Sequence, residues 1–95
     1  MNINYSISIP VEREDGTPVS RASEIGNIVN RDHRGKNWIK RASMYIGKEY
    51  IIQRGGETLK AKIETLTVVT CFNLLALKCV SDKLTFYIFN LKKLK

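Results

Sequence analysis

Histidine and cysteine are scarce. His33 is the one imidazole, and Cys71 and Cys79 are the two thiols. Such a set at this spacing does not make a tetrahedral metal site, and no close acidic cluster suits a hard cation. No metal and no cofactor is expected. Nucleophilic catalysis is poorly served as well. Either thiol would need His33 as its base, across the fold and in a partly exposed electropositive niche, yet both cysteines read as buried. His33 could act as a lone general base, but no second acid or base accompanies it. The chain is therefore expected not to be an enzyme. Eight residues on one extended strand span about 26 Å, far beyond disulfide reach.

Long apolar runs are missing too. The longest, residues 74–77, is far too short to span a bilayer. The N-terminus alternates polar with apolar residues and does not read as a signal peptide. The expectation is a cytoplasmic protein with reduced thiols and no membrane partner. There is no internal repeat and no low-complexity tract. Neither GxxxxGK nor GxGxxG occurs, so Gly55-Gly56 reads as a hairpin turn and not as a phosphate cradle. The 95 residues make one domain, 1–95. A chain of this size buries roughly 60–65% of its unfolded surface, enough for one modest core.

Acidic residues are in deficit. Nine Asp and Glu face sixteen Lys and Arg, a net charge of +7. An excess of this size on a small domain points to a polyanionic partner and says nothing about fold.

What is present is mostly strand. Ile3, Tyr5, Ile7, Ile9 and Val11 alternate with Asn2, Asn4, Ser6 and Ser8, a half-buried strand over residues 2–11. Pro10 cannot donate to a ladder, which suits an edge or a strand end. A polar turn follows around Asp15-Gly16. Thr17-Pro18 reads as a helix start, with Val19, Ala22, Ile25, Gly26 and Val29 on one stripe. Gly26 weakens that helix by about 1 kcal/mol relative to alanine, and its place in the stripe suggests close packing on the sheet. Arg31, His33 and Arg34 fall in the last turn, and Gly35 stops it. Residues 36–46 fit a second helix ending at Gly47, although Trp38, Ala42, Met44 and Ile46 also fit alternate strand positions.

Residues 48–91 read as an antiparallel meander: strands over 48–53, 57–70, 71–80 and 84–91, with turns at Gly55-Gly56 and at residues 81–83. Leu59, Ala61 and Ile63 alternate in one phase and Leu66, Val68 and Thr70 in the other, so a bulge is expected near Glu64-Thr65. Residues 71–80 are apolar in both phases, the mark of a central strand, although 72–77 could be a short buried helix. Such a sheet needs closure into a small barrel or a helix laid across it. Phe72, Phe86 and Phe89 read as core. Tyr87 is open, since RNA-binding sheets expose such rings. The fold class is α+β: an N-terminal strand, one or two short helices, then a meander forming a curled sheet or small barrel. Gly47-Lys48-Glu49-Tyr50 through Ile63, with its glycine turn and Lys-x-Lys return strand, resembles a hairpin of SH3-like barrels over under a quarter of the chain. The small size, basic charge and Ile/Asn/Lys-rich composition are similar to those of many phage early proteins.

One constellation stands out. Arg31, Arg34, Lys36, Lys40 and Arg41 fall within residues 31–41 with only Asp32 opposing them, and His33 and Trp38 sit among them. Long cations on one surface suit phosphates, and an exposed aromatic among them can stack a base. Lys92, Lys93 and Lys95 extend the patch if the last strand ends nearby. The bland alternative is a solvated rim, with Trp38 in the core and the arginines capping helix ends. The net charge favours the first: a non-catalytic protein contacting DNA or RNA backbone. A second reading is a phage or mobile-element product that binds an acidic surface of a host protein, such as a nucleic-acid enzyme, and inhibits it. There an apolar patch of Trp38, Met44 and Tyr45 would supply anchors. A third is a homodimer through the edge of the first strand.

Overall fold

The structure, a computed structural model, describes residues 10–94. Most of the strand expected over residues 2–11 therefore lies outside the described residues, as does Lys95, and so does the edge through which a homodimer was expected. The chain forms β1 (Val11–Arg13), β2 (Pro18–Val19), α1 (Ala22–Arg31), α2 (Gly35–Ser43), β3 (Glu49–Arg54), β4 (Glu57–Val69), β5 (Leu74–Val80) and β6 (Thr85–Ile88), then a 3₁₀ turn at Leu91–Lys93. Among the described residues this is an α+β fold with two helices on a mixed six-stranded sheet.

β4 is the axis. Its thirteen residues serve three ladders. Lys62 pairs with both Glu49 of β3 and Val80 of β5, and Leu66 with both Val11 of β1 and Leu77 of β5. β1 and β3 therefore share one edge of β4, end to end, and β5 takes the other. The β1 pairing is parallel and the meander β3–β6 is antiparallel throughout. The register shifts between Ile63 and Thr65 where the apolar phase flips. The bulge keeps Leu59, Ala61 and Ile63 on the same face as Leu66 and Val68, so that one core is served by the whole strand.

The sheet is not a barrel. β3 and β5 overlap along β4 only at Lys62, and no ladder joins β3 to β6. Cover comes from the helices instead. Ile28 and Val29 of α1 and Trp38, Ile39 and Ala42 of α2 are buried in the cluster that contains Leu75, Leu77 and Cys79 of β5. Their spacing gives each helix one apolar stripe.

Several local expectations are corrected. Thr17-Pro18 does not start a helix. The Thr17 hydroxyl and N–H both donate to the Asp15 carboxylate at 2.7 and 3.0 Å, and Pro18-Val19 pairs with β1 as a short edge strand that needs no proline donor. The Thr17 oxygen accepts from the Arg13 guanidinium at 3.4 Å, the next two residues are extended, and α1 begins only at Ala22. α1 ends at Asp32, whose N–H still bonds the Ile28 carbonyl, and Gly35 (φ +68°) opens α2. Gly26 makes no close approach: a Cβ there would meet nothing within 4 Å. β5 starts at Leu74, because Cys71–Asn73 form a turn in which Asn73 takes φ +52°. Cys71 is thus exposed and only Cys79 is buried. Phe72 is 62% exposed and meets Phe89 edge-on at 5.6 Å instead of entering the core. Among the described residues no helix is long and apolar enough to cross a membrane.

Candidate functional site

The basic run 31–41 does not form one patch. Arg34 joins α1 to α2, and each of its three guanidinium nitrogens donates a hydrogen bond. Nε and Nη2 donate to Asp32 at 2.9 and 2.6 Å, Nη1 donates to the Phe89 carbonyl at 2.8 Å, and Nη2 also donates to the Leu75 carbonyl. The same group lies 3.7 Å from the centre of the Trp38 ring, a stacked cation–π contact. Trp38 itself is 4% exposed. The aromatic expected to stack a base is therefore core, and the arginine expected to meet a phosphate is a clamp between the helices and strands β5 and β6.

Asp32 completes the clamp. Its carboxylate also accepts from the Leu75 N–H at 3.0 Å and the Arg34 N–H at 2.9 Å, and its side chain is wholly buried. Burial alone would raise its pKa. The hydrogen bonds from the Arg34 side chain and from the Leu75 and Arg34 N–H groups, with the Arg34 charge, outweigh that and hold it below the ordinary aspartate value. In the sequence Asp32 stands only as a lone opposing charge within the basic run. One partner, Arg34, is two residues away, but the other, the Leu75 N–H on β5, is 43 residues away, so no local pattern could have announced the clamp.

The remaining cations are exposed: Arg31, Lys36, Lys40 and Arg41, with Lys92 and Lys93 in the tail. Among the described residues no carboxylate forms an ion pair with Arg31, Lys40, Arg41, Lys92 or Lys93. Two of them come together. Arg41 and Lys92 line a groove of about 390 Å³ with Met44, Tyr45, Leu91 and Leu94. Both also line a neighbouring groove of about 330 Å³ that reaches Arg34, Trp38 and Asn90. Lys92 of the tail thus lies beside Arg41 of α2. Lys93 lines a third concavity of about 180 Å³, the open cleft between β3 and β6, with Arg54, Phe86, Tyr87 and Asn90. Arg31, Lys36 and Lys40 line none of the three.

Arg54 was not foreseen. It ends β3, and its guanidinium lies 5.3 Å from the centre of the Phe86 ring. Nothing in its sequence neighbourhood, a glycine turn, marks it as part of a basic site.

The three concavities run on from one another. The first two share Arg41, Leu91 and Lys92, and the second and third share Phe89 and Asn90. Together they make a furrow around the C-terminal turn that is lined by Arg34, Arg41, Arg54, Lys92 and Lys93 and, among the described residues, by no Asp or Glu. By contrast, the concavity beside β1 contains Glu12 and Glu64 with Lys62. The chain explains the difference. Residues 33–48 and 83–95 contain no acidic residue and hold nine of the sixteen Lys and Arg. The fold packs these two stretches together.

Other chemistry is thin. Among the described residues no three His, Cys, Asp or Glu side chains gather to hold a metal ion. The Cys79 thiol lies against the Leu77 carbonyl, and burial pushes its pKa up to about 12. The chain matches no protein-family model, no curated protein and no solved structure.

Proposed function

We propose that this is a small, non-catalytic basic protein that binds nucleic acid through its phosphate backbone, in the furrow around the C-terminal turn. The observation that carries the reading is that, among the described residues, no Asp or Glu lines three adjoining concavities that hold four exposed cations besides the clamped Arg34. Low-dielectric walls around charges of one sign focus the potential into the furrow. Arg41, Arg54, Lys92 and Lys93 supply the phosphate contacts, with Lys40 and Arg31 adding long-range attraction. Such contacts position a backbone and carry no base identity. If four phosphates are neutralised, log affinity falls with log salt at a slope of about −3 to −4. Failure to bind any DNA or RNA at low salt would end the proposal.

One observation favours the rival reading, inhibition of a host protein through an acidic surface. Met44 is 68% exposed and lines the same groove as Arg41 and Tyr45. An apolar anchor beside a cation is the composition of a protein interface centre. Met44→Ser separates the two. It leaves oligonucleotide affinity unchanged if phosphates are the ligand, and abolishes nuclease-resistant capture of a partner if a protein is.

A further inference from the structure

The shape of the furrow bears on which nucleic acid it takes. The turn at Leu91–Lys93 is 3₁₀, with three residues per turn, so Lys92 and Lys93 project about 120° apart. Lys92 enters the grooves with Arg41, and Lys93 enters the β3–β6 cleft with Arg54. The cationic path therefore bends round a single three-residue turn. Duplex DNA, with a persistence length of about 50 nm, does not bend on that scale, whereas a single strand does.

The far end of the path has a different lining from its start. The β3–β6 cleft has a volume of about 180 Å³ and is lined by Phe86, Tyr87, Phe89 and the Arg54 guanidinium. A cavity of about 150 Å³ admits one benzene ring. A planar base fits that scale and a duplex does not. Tyr87 and Phe89 are only half-buried, and Arg54 is exposed, so part of each side chain is open to solvent. Bases freed from a duplex stack on both kinds of surface.

We infer that the ligand is a single-stranded nucleic acid, its backbone bending from Arg41 and Lys92 round the C-terminal turn to Arg54 and Lys93, with one base in the β3–β6 cleft. This rests on the polyanion reading above and adds the strandedness and the base subsite.

Anisotropy titration of the whole protein with labelled oligo(dT) of about 15 nucleotides, and with a duplex of the same length, tests it at salt between about 50 and 200 mM. The single strand is expected to bind about tenfold more tightly, the order contributed by one stacked base. Arg54→Ser with Lys93→Ser should lower single-strand affinity more than duplex affinity, so that the preference for the single strand shrinks. Arg41→Ser with Lys92→Ser should weaken both. All four positions are exposed, and circular dichroism of each variant checks the fold. Equal or tighter binding of the duplex overturns the inference and leaves the polyanion reading standing. Binding of neither overturns both. Crosslinking of a 4-thiothymidine-substituted strand to residues 86–90 supports the base subsite, and crosslinking only elsewhere overturns it.

Discussion

On the β1 side of the sheet Arg13 holds Glu24 at 2.7 Å and Lys78 holds Glu12 at 3.3 Å, whereas around the C-terminal turn Arg41, Lys92 and Lys93 have no carboxylate partner among the described residues. Both regions carry cations. They differ in where the acids lie along the chain. Every Asp and Glu falls outside residues 33–48 and 83–95, and those two stretches meet in space at α2 and the C-terminal turn. A cation whose charge is met at home gives a local contact and little outward field. Cations left unmet in a furrow give a potential that an outside anion can use. Arg34 shows the boundary between the two cases. It belongs to the acid-free stretch, yet the preceding Asp32 reaches it, and it becomes part of the frame.

The largest effect should come from breaking that frame. Asp32→Ala leaves a mostly buried guanidinium unpaired and should cost on the order of 3 kcal/mol, seen as a lower urea midpoint. Arg41→Ser, on the unmet side, should stay within about 0.5 kcal/mol of the parent. Equal losses would erase the distinction between clamp and furrow. Next comes the salt dependence of nucleic-acid binding. Removing Arg41 and Lys92 together should make the slope shallower by roughly 1.5 to 2. Removing Arg13 and Lys78 together should leave it as it was, and a matching change there would mean that the paired side also binds.

Acid titration sharpens the contrast further. Asp32 lies below its ordinary pKa because the Arg34 and Leu75 hydrogen bonds outweigh its burial, Glu14 because it accepts from the Thr70 N–H and hydroxyl, and Asp15 because it accepts from the Thr17 hydroxyl and N–H. The unfolded chain then binds protons that the folded chain refuses. Stability is full above the unfolded carboxylate pKa of about 4 and is lost as pH falls through the folded values. Asp32→Asn should flatten that acid limb, and a limb of unchanged steepness would show that the clamp carries none of it. The smallest effect belongs to the Arg13–Glu24 pair, whose side chains are each more than a third exposed. Arg13→Ala should cost about 0.2–1 kcal/mol, and a larger loss in the urea midpoint would place this pair with the clamp.

Much of this frame was legible in the residues. The alternation of Leu59, Ala61 and Ile63, its phase flip, the Gly55-Gly56 turn and the second helix all appear where local periodicity puts them. Periodicity works there because one face is buried along a whole element. It failed at Thr17-Pro18, where a side-chain hydrogen bond from Thr17 to Asp15 competes with helix capping. It failed at Cys71 and Phe72, where an apolar pair sits in a turn and resembles the strand that follows. Of the candidate site, the nearness of Arg41 to the Lys-rich tail was legible, whereas Trp38 and Arg34 are withdrawn into the frame and Arg54 enters from a strand with no basic neighbours in sequence.

From the residues alone come the strand pattern, the excess of positive charge and its confinement to two stretches free of acid, since each depends on neighbours along the chain. Only the tertiary structure decides which of those charges remain unmet. The Arg34 guanidinium finds its carbonyl partners 41 and 55 residues away, on β5 and just beyond β6, and Arg41 meets Lys92 only because the last turn packs beside α2. Charge is written locally, but neutralisation depends on distance through space.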